Sequence, residues 1–521
     1  MNASKMLSNS QRQFAQTVAD LAHANPFLPQ RIELERAALG SEFDERYAGW
    51  NVQRGPENNP NQVRLLARAE TALRAWHERL STAQVKLTPT DQTLYEDLLL
   101  CVAYHRMQGA LDELIAERAM PGETIKATAA YRQLNAFVRP LLTIGDQYMV
   151  DLELPRVFSA FFQIRRAFAN IYQFVIGSSR TTTRLRATIW QSIFTHDLRR
   201  YRRVLYDKMH DYVTLVTGPS GTGKELVAQA VGRSRYVLFD AKSQRFEVDF
   251  SSDFSSINLS AMSPTLIESE LFGHRKGAYT GAAADRVGWF EACPSYGSVF
   301  LDEIGELDPA LQVKLLRVLQ TRTFARLGDT QERTFSGKLI AATNRDLAAA
   351  MSCGEFREDL YYRLCGDVVS VPSLRERIVD DPQELHHLIL HIAGRLVGDE
   401  AARLAAEAET YIEQHLGPKY AWPGNIRELE QCVRNIVIRS EYRPVSIATA
   451  GHDATLGASD PCDEIAAAIR TQATADDILR MHCTWAYRSA GSYEAAAKML
   501  GLDRRTIKAK LDTELLLRWQ K

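Results

Sequence analysis

Over the first 187 residues the apolar positions recur at helical rather than strand spacing, inside long runs rich in Ala, Leu, Arg and Glu. Between Thr90 and Ala116, Leu94, Leu98, Val102, Leu111 and Leu114 fall close to one helical face, with Thr90 or Asp91 placed as N-cap. Phe158, Phe161, Phe162, Phe168, Ile171, Tyr172 and Val175 form a second, aromatic-rich face. Such a face suits a hydrophobic core; a ligand pocket or a dimer face are its other uses. Residues 157–176 are the most apolar stretch, but Arg165 and Arg166 interrupt its middle, where a bilayer makes charge costly. It therefore reads as a buried helix.

From residue 189 the pattern becomes that of an α/β domain. Residues 212–217 are a short β-branched run ending at a glycine-rich loop, and 225–231 continue as a helix. Further strand-like runs lie at 298–301 and 338–342, with helices between them. Residues 236–240 and 245–250 alternate in strand fashion around Ala241-Lys242-Ser243-Gln244, which predicts a hairpin. Residues 386–440 turn helical again, as a small lid does. The segment 448–461 is rich in Gly, Ala, Ser and Asp and reads as a linker before a compact helical tail.

A chain of 521 residues is too long for one core and suggests three or four domains. With 63 Lys plus Arg against 64 Asp plus Glu, no global field draws it to nucleic acid or membrane, so any DNA contact needs a local patch. The seven cysteines are scattered without a Cys-x-x-Cys, as expected of reduced thiols in a cytoplasmic protein. The first residues are polar and lack the apolar core of a signal peptide, so export is not expected.

The chemistry begins at Gly218-Pro219-Ser220-Gly221-Thr222-Gly223-Lys224-Glu225. Strand, glycine-rich loop and helix is the context in which backbone N–H groups and a helix N-terminus cradle phosphates, with Lys224 neutralising the β- and γ-phosphates of ATP. The general pattern has Ser or Thr after the lysine as a magnesium ligand; Glu225 stands there instead, which shifts Mg²⁺ onto Asp302 and water. Val299-Phe300-Leu301-Asp302-Glu303 reads as a buried strand ending in two acids, Asp302 suited to orienting Mg²⁺ and Glu303 to polarising the attacking water. An Asp-Glu pair after a strand is commonplace alone, but after a complete phosphate loop it indicates an NTPase.

From Gly218 to Leu429 the chain resembles the AAA+ ATPase domain of the bacterial enhancer-binding activators of sigma-54 RNA polymerase. Gly-Thr-Gly-Lys-Glu is the usual form there, so Glu225 fits. Glu268-Ser269-Glu270-Leu271-Phe272-Gly273-His274 followed by Gly277-Ala278-Tyr279-Thr280-Gly281-Ala282 is similar to the loop by which that family grips sigma-54, with Tyr279 in place of phenylalanine. Ala341-Ala342-Thr343-Asn344-Arg345 resembles the segment in which Asn344 senses the γ-phosphate, and Asn258 matches an asparagine that restrains the catalytic glutamate. Phe356-Arg357-Glu358-Asp359-Leu360-Tyr361-Tyr362-Arg363 resembles the arginine-finger segment, which implies that Arg357 and Arg363 act on a neighbouring subunit's nucleotide. Trp422-Pro423-Gly424-Asn425-Ile426-Arg427 resembles the lid motif, with Arg427 contacting nucleotide. Between Lys224 and Asn258 the chain is about a dozen residues longer than the family pattern, as an insertion around 236–253.

Residues 493–511 are laid out as helix, glycine turn and helix, and are similar to the family's Fis-type tail. Five basic residues against one acid between Lys498 and Lys510 supply a local positive patch, with Arg504, Arg505, Thr506 and Lys508 early on the second helix as the candidate DNA contacts. The expected organisation is a multidomain chain: an α-helical regulatory domain (1–187), an α/β AAA+ ATPase (188–385) with a helical lid (386–445), a linker (446–462) and an all-α helix-turn-helix (463–521). The resemblance implies an ATP-driven activator that binds enhancer DNA and assembles as a ring, of six subunits by the family's pattern. A remodelling chaperone needs neither the Gly-Ala-Tyr-Thr-Gly-Ala loop nor a helix-turn-helix, and a repressor with a decayed motor is at odds with intact Lys224, Asp302 and Glu303.

Overall fold

The computed structural model describes residues 8–49, 59–83, 88–116, 124–144, 147–148, 152–247, 253–444, 474–513 and 515–516. Contacts divide the chain into two compact units, 1–442 and 443–521. The expected linker, 446–462, and the first residues of the tail lie outside the described residues.

The first unit opens with helices Asn9–His23, Gln30–Leu39, Pro60–Ala83, Pro89–Ala116, Thr128–Leu142 and Leu154–Phe174. The first is started by a capping box between Ser8 and Gln11, which satisfies backbone donors that have no partner within the helix. Leu94, Leu98, Val102, Leu111 and Leu114 are all buried in one cluster, as their spacing requires. The aromatic face divides its work between two cores. Phe158, Phe161 and Phe162 enter the helical cluster, while Ile171 and Val175 enter a second cluster shared with the central sheet. A helix of 21 residues is about 30 Å long, enough to reach both. Arg165, midway, pairs with Asp112, and Arg166 donates to the Arg235 carbonyl.

The central sheet has five parallel strands, β1 (Thr214–Thr217), β2 (Phe254–Asn258), β3 (Ser298–Asp302), β4 (Lys338–Thr343) and β5 (Asp367–Ser370), in the order β5-β1-β4-β3-β2. Side chains alternate between two apolar layers with the period of two that a strand imposes. Leu215, Val299, Leu301, Leu339 and Ala341 face the helices Pro264–Phe272, Pro309–Thr321 and Glu358–Leu364. Val216, Phe300, Ile340 and Ala342 face the helices Lys224–Gly232 and Arg180–Phe194. Covering both faces is the usual condition for a parallel sheet. Lys338 brings a charged group into the sheet: it is buried, its Nζ donates to the carbonyls of Tyr212 and Met209 at 2.8 and 3.3 Å, and burial pushes its ammonium down to about 7.

The expected hairpin forms from Phe239–Asp240 and Arg245–Phe246, with Phe239 opposite Phe246. It joins the helical core and not the motor sheet. Phe246 stacks on Phe162 at 4.2 Å and lies 5.6 Å from Phe158, and Phe239 lies 4.7 Å from Tyr131. Phe246 N–H donates to the Ile125 carbonyl and Ala127 N–H to that of Gln244, at 3.1 and 3.0 Å.

The lid comprises helices Leu374–Asp380, Gln383–Val397, Ala401–His415 and Asn425–Arg439 around its own core. The expected divisions at 187/188 and 385/386 each fall inside a helix, Arg180–Phe194 and Gln383–Val397. These two helices are tied together by Glu384, which is buried, pairs with Arg377 and accepts from Ser179 N–H at 2.8 Å and Thr182 Oγ1 at 2.6 Å.

Among the described residues the second unit has three helices, Ala475–Ala490, Tyr493–Leu500 and Arg504–Lys510, around Cys483, Ala486, Ala496 and Ile507. Gly501 ends the middle helix at φ +65°, a conformation that favours glycine, and Asp503 caps the third by accepting from Arg505 N–H at 2.7 Å. No helix among the described residues is long and apolar enough to cross a membrane.

Candidate active site

Parallel strands end at one edge, and that edge gathers the predicted residues. Thr343 lies opposite Thr217, and Asn258 opposite Asp302, so the residues after β1, β2, β3 and β4 meet there. The phosphate loop leaves β1 through Gly218 at φ +145°, where a Cβ would sit 2.5 Å from the Val371 carbonyl. Thr222 Oγ1 donates to the Pro219 carbonyl, and the buried Lys224 ammonium donates to the carbonyls of Gly218 and Pro219 at 3.1 and 3.3 Å. The cation is thus held within the loop. Glu225, next in the helix, is exposed.

Asp302 and Glu303 are half-buried beside it. Burial pushes the Asp302 carboxyl above its usual range, against the pull of Glu303 N–H and of Lys224. Glu303 adopts φ 56°, ψ 51°, a left-handed conformation that costs a non-glycine residue roughly 1–2 kcal/mol. Its carboxylate accepts from the Asn344 backbone N–H at 3.2 Å, which links β3 to the tip of β4. Asn258 Nδ2 approaches Asp302 Oδ2 at 3.5 Å, so its partner here is Asp302 rather than the glutamate.

The lid closes on the same loop. Arg427 N–H donates to the Gly221 carbonyl at 3.2 Å, and its guanidinium is 3.4 Å from Ser220 Oγ. Asn425, held at φ 53°, donates through Nδ2 to the Ser220 carbonyl and accepts through Oδ1 from Leu374 N–H, both at 2.9 Å. Sequence reasoning singled out Arg427 and passed over Asn425. The available signal was a buried-type amide after Pro-Gly, since asparagine tolerates the left-handed region better than most residues.

Some distance along the chain, Gly273–His274 pairs with Arg286–Val287 and projects the segment 277–282 as a loop. Gly277 N–H donates to the Ala282 carbonyl at 2.9 Å, closing a tight turn with Gly277 and Gly281 at φ +82° and +106°. Arg275 anchors the base to Asp285 and Asp329 at 2.6 and 3.1 Å. Thr280 is exposed at the tip, while the Tyr279 ring meets His274 edge-on at 5.1 Å.

Residues 192–370 match the Sigma-54 interaction domain, and residues 375–453 match the AAA+ ATPase lid domain. The transcriptional regulatory protein ZraR of Escherichia coli K12 is 32% identical over 451 residues, which cover 85% of this chain and 95% of that protein. The chain belongs to the sigma-54-dependent transcriptional activators. The Nif-specific regulatory protein of Azotobacter vinelandii is 40% identical over 308 residues, 57% of this chain and 53% of its own, so the chain spans about half of that relative. Among solved structures, NtrX from Brucella abortus in complex with ATP covers 75% of this chain and 80% of its own at 22% identity and a TM-score of 0.39.

As a member of this family the chain is an ATPase, and it activates transcription by sigma-54 polymerase. The activator's two finger candidates differ in their surroundings. Both are exposed; Arg357 pairs with Asp359 at 2.7 Å, whereas Arg363 has no ion-pair partner among the described residues. In the second unit Arg504, Arg505 and Lys508 are exposed, with Arg504 paired to Glu494 at 2.7 Å, and Thr506 is half-buried.

Proposed function

We propose that the activator works as a ring of identical subunits in the cytoplasm, bound to enhancer DNA, and that each site draws on two subunits. Lys224 and the loop amides hold the phosphates, Glu303 orients the attacking water, Asn344 reads the γ-phosphate, Arg427 contacts the nucleotide, and Arg357 and Arg363 reach a neighbour's nucleotide. Arg363 supports this reading best of the two, because an exposed guanidinium with no ion-pair partner among the described residues is available to serve one outside. The donor set also fits Mg²⁺. Among the described residues no three His, Cys, Asp or Glu side chains cluster, and a magnesium ion held by one carboxylate, water and phosphates needs no such cluster. Asp302, a half-buried acid whose ionisation burial opposes, is the residue that would hold it, and the ion when bound would neutralise charge on the phosphates.

Residues Gly277, Ala278, Tyr279, Thr280, Gly281 and Ala282 would form the sigma-54 contact. The observation that carries this is the separation of tasks in the chain: the turn is braced at its base by Arg275, is open around both glycines, and is tied by hydrogen bonds to its own base and not to the phosphate loop. The helical first third would regulate the motor, and the second unit would read DNA through Arg504, Arg505, Thr506 and Lys508. The test is Thr280→Ala beside Glu303→Gln. Thr280→Ala should hydrolyse ATP at the wild-type rate yet fail to bind sigma-54 and to open its promoter; Glu303→Gln should bind ATP and lose about 10²-fold or more in hydrolysis. Normal promoter opening by Thr280→Ala would refute the role of the loop.

A further inference from the structure

Inside the helical part of the first unit lies a cavity of about 130 Å³, walled by apolar side chains including Leu100, Ala160, Phe161, Phe168 and Trp190. An engineered cavity of about 150 Å³ with a comparable aliphatic and aromatic lining takes up benzene, so the space suits one aromatic ring. The charges at its wall are already matched: Arg165 with Asp112, Arg202 with Glu96, Arg31 with Glu35, and Asp97 with Arg199 and His23. Asp97 Oδ1 accepts no hydrogen bond but still faces His23 Nε2 at 3.5 Å, whereas two neutral groups on the wall face no charged partner. Tyr104 Oη and His105 Nδ1 are both shielded from solvent; the Gln108 amide is near both, yet neither atom has a partner in hydrogen-bonding geometry. Tyr104, His105 and Gln108 all line the cavity. Burial pushes the His105 imidazole down to about 4 and the Tyr104 phenol up to about 12, so both are uncharged at neutral pH. Buried polar atoms are rarely left unpaired, and an orphaned pair beside an apolar space calls for a ligand that completes them.

We propose that this cavity binds a small uncharged molecule with an apolar body about the size of one aromatic ring and a single hydroxyl or carbonyl that meets Tyr104 and His105. Matched wall charges disfavour a charged ligand, which would lose its hydration without gaining a counter-ion. The position also gives the occupant a route to the motor. Phe168 and Trp190 belong to the same apolar cluster as Val216 and Val227, which lie on either side of the phosphate loop.

The test is calorimetric titration of the full chain at pH 7.5 with benzyl alcohol, toluene and benzoate as probes. Benzyl alcohol should bind saturably at a single site, toluene about tenfold more weakly for want of the hydrogen bond, and benzoate should give no saturable heat. Ala160→Phe, which fills the space, should abolish binding of benzyl alcohol without lowering the unfolding temperature. Tyr104→Phe should weaken benzyl alcohol severalfold and leave toluene unchanged, and this variant decides the matter if Ala160→Phe proves misfolded. Absence of saturable binding by both neutral probes, equal affinity for benzoate, or undiminished binding in the folded Ala160→Phe protein would overturn the proposal.

Discussion

The hairpin at 239–246 makes a quantitative demand on the helical core, and Phe246→Ala is the change that tests it. Phe246 is fully buried, stacked on Phe162 at 4.2 Å and within 5.6 Å of the rings of Phe158 and Phe239. Removing such a ring costs its transfer free energy plus that of the cavity left behind, together about 3–5 kcal/mol. In a chain with several cores a global unfolding midpoint does not isolate that loss, but amide exchange does, because it reports the free energy of local opening. The Phe246 N–H is bonded to Ile125 and the Ala127 N–H to Gln244, so these amides exchange only when the hairpin leaves the core. At about 1.4 kcal/mol per factor of ten, Phe246→Ala should lower their protection by roughly 10²–10³-fold. Amides of the helix Lys224–Gly232 serve as the internal reference and should change little. Hydrogen exchange read by mass spectrometry resolves both segments, and a loss of protection below about threefold at 125–127 and 244–246 would show that the hairpin does not hold this core together.

Three further expectations rest on other parts of the structure. Gly221→Ala places a Cβ 2.3 Å from the Gly424 carbonyl at φ +77°, so lid and phosphate loop must separate; ATP affinity should fall at least about tenfold by titration, and an unchanged Kd would refute the docking contact. Lys338 has a folded pKa near 7 against 10.5 for the free group, so between those values the unfolded chain binds the proton that the native one rejects, and stability from this group rises with pH across that window. Lys338→Met should remove the rise, which amide-exchange protection of the strand Lys338–Thr343, corrected for intrinsic rates at pH 7 and pH 9, detects; the same pH dependence in both proteins would refute it. Arg505→Ala should reduce the log-log salt slope of DNA binding by about 0.9 if its guanidinium neutralises one phosphate, while ATP hydrolysis stays at the wild-type rate; a wild-type slope would show that Arg505 does not touch the DNA backbone.

What could be read from the chain followed the range of the forces involved. The phosphate loop, the Asp302-Glu303 strand end and the Asn344 segment were legible because each is local: a strand, a turn and a glycine pattern fix the backbone within about ten residues, and parallel strands then carry the ends to one edge. Arg427 was legible by motif, whereas the role of Asn425 was not, since its two hydrogen bonds reach Ser220 and Leu374, 205 and 51 residues away. Asn258 was placed at the right edge but bonds Asp302, a choice between adjacent acids that depends on the left-handed turn at Glu303 and not on the asparagine itself.

The insertion shows the same limit from the other side. Alternation around Ala241-Lys242-Ser243-Gln244 foretells two short strands, but an isolated two-stranded hairpin is marginal in water and must find an apolar surface elsewhere. That surface is Phe158 and Phe162, which the helical period had already marked as part of an oversized aromatic face. One helix carries more apolar area than its own core uses, and one hairpin carries Phe239 and Phe246 with no core of its own; each supplies what the other lacks. Because the hairpin follows the helix Lys224–Gly232 directly in the chain, the helical domain is fastened to the element that bears Lys224. A movement of the helices is therefore resisted at the phosphate site by covalent continuity as well as by packing, which is the physical basis for expecting the first third of the chain to govern the motor.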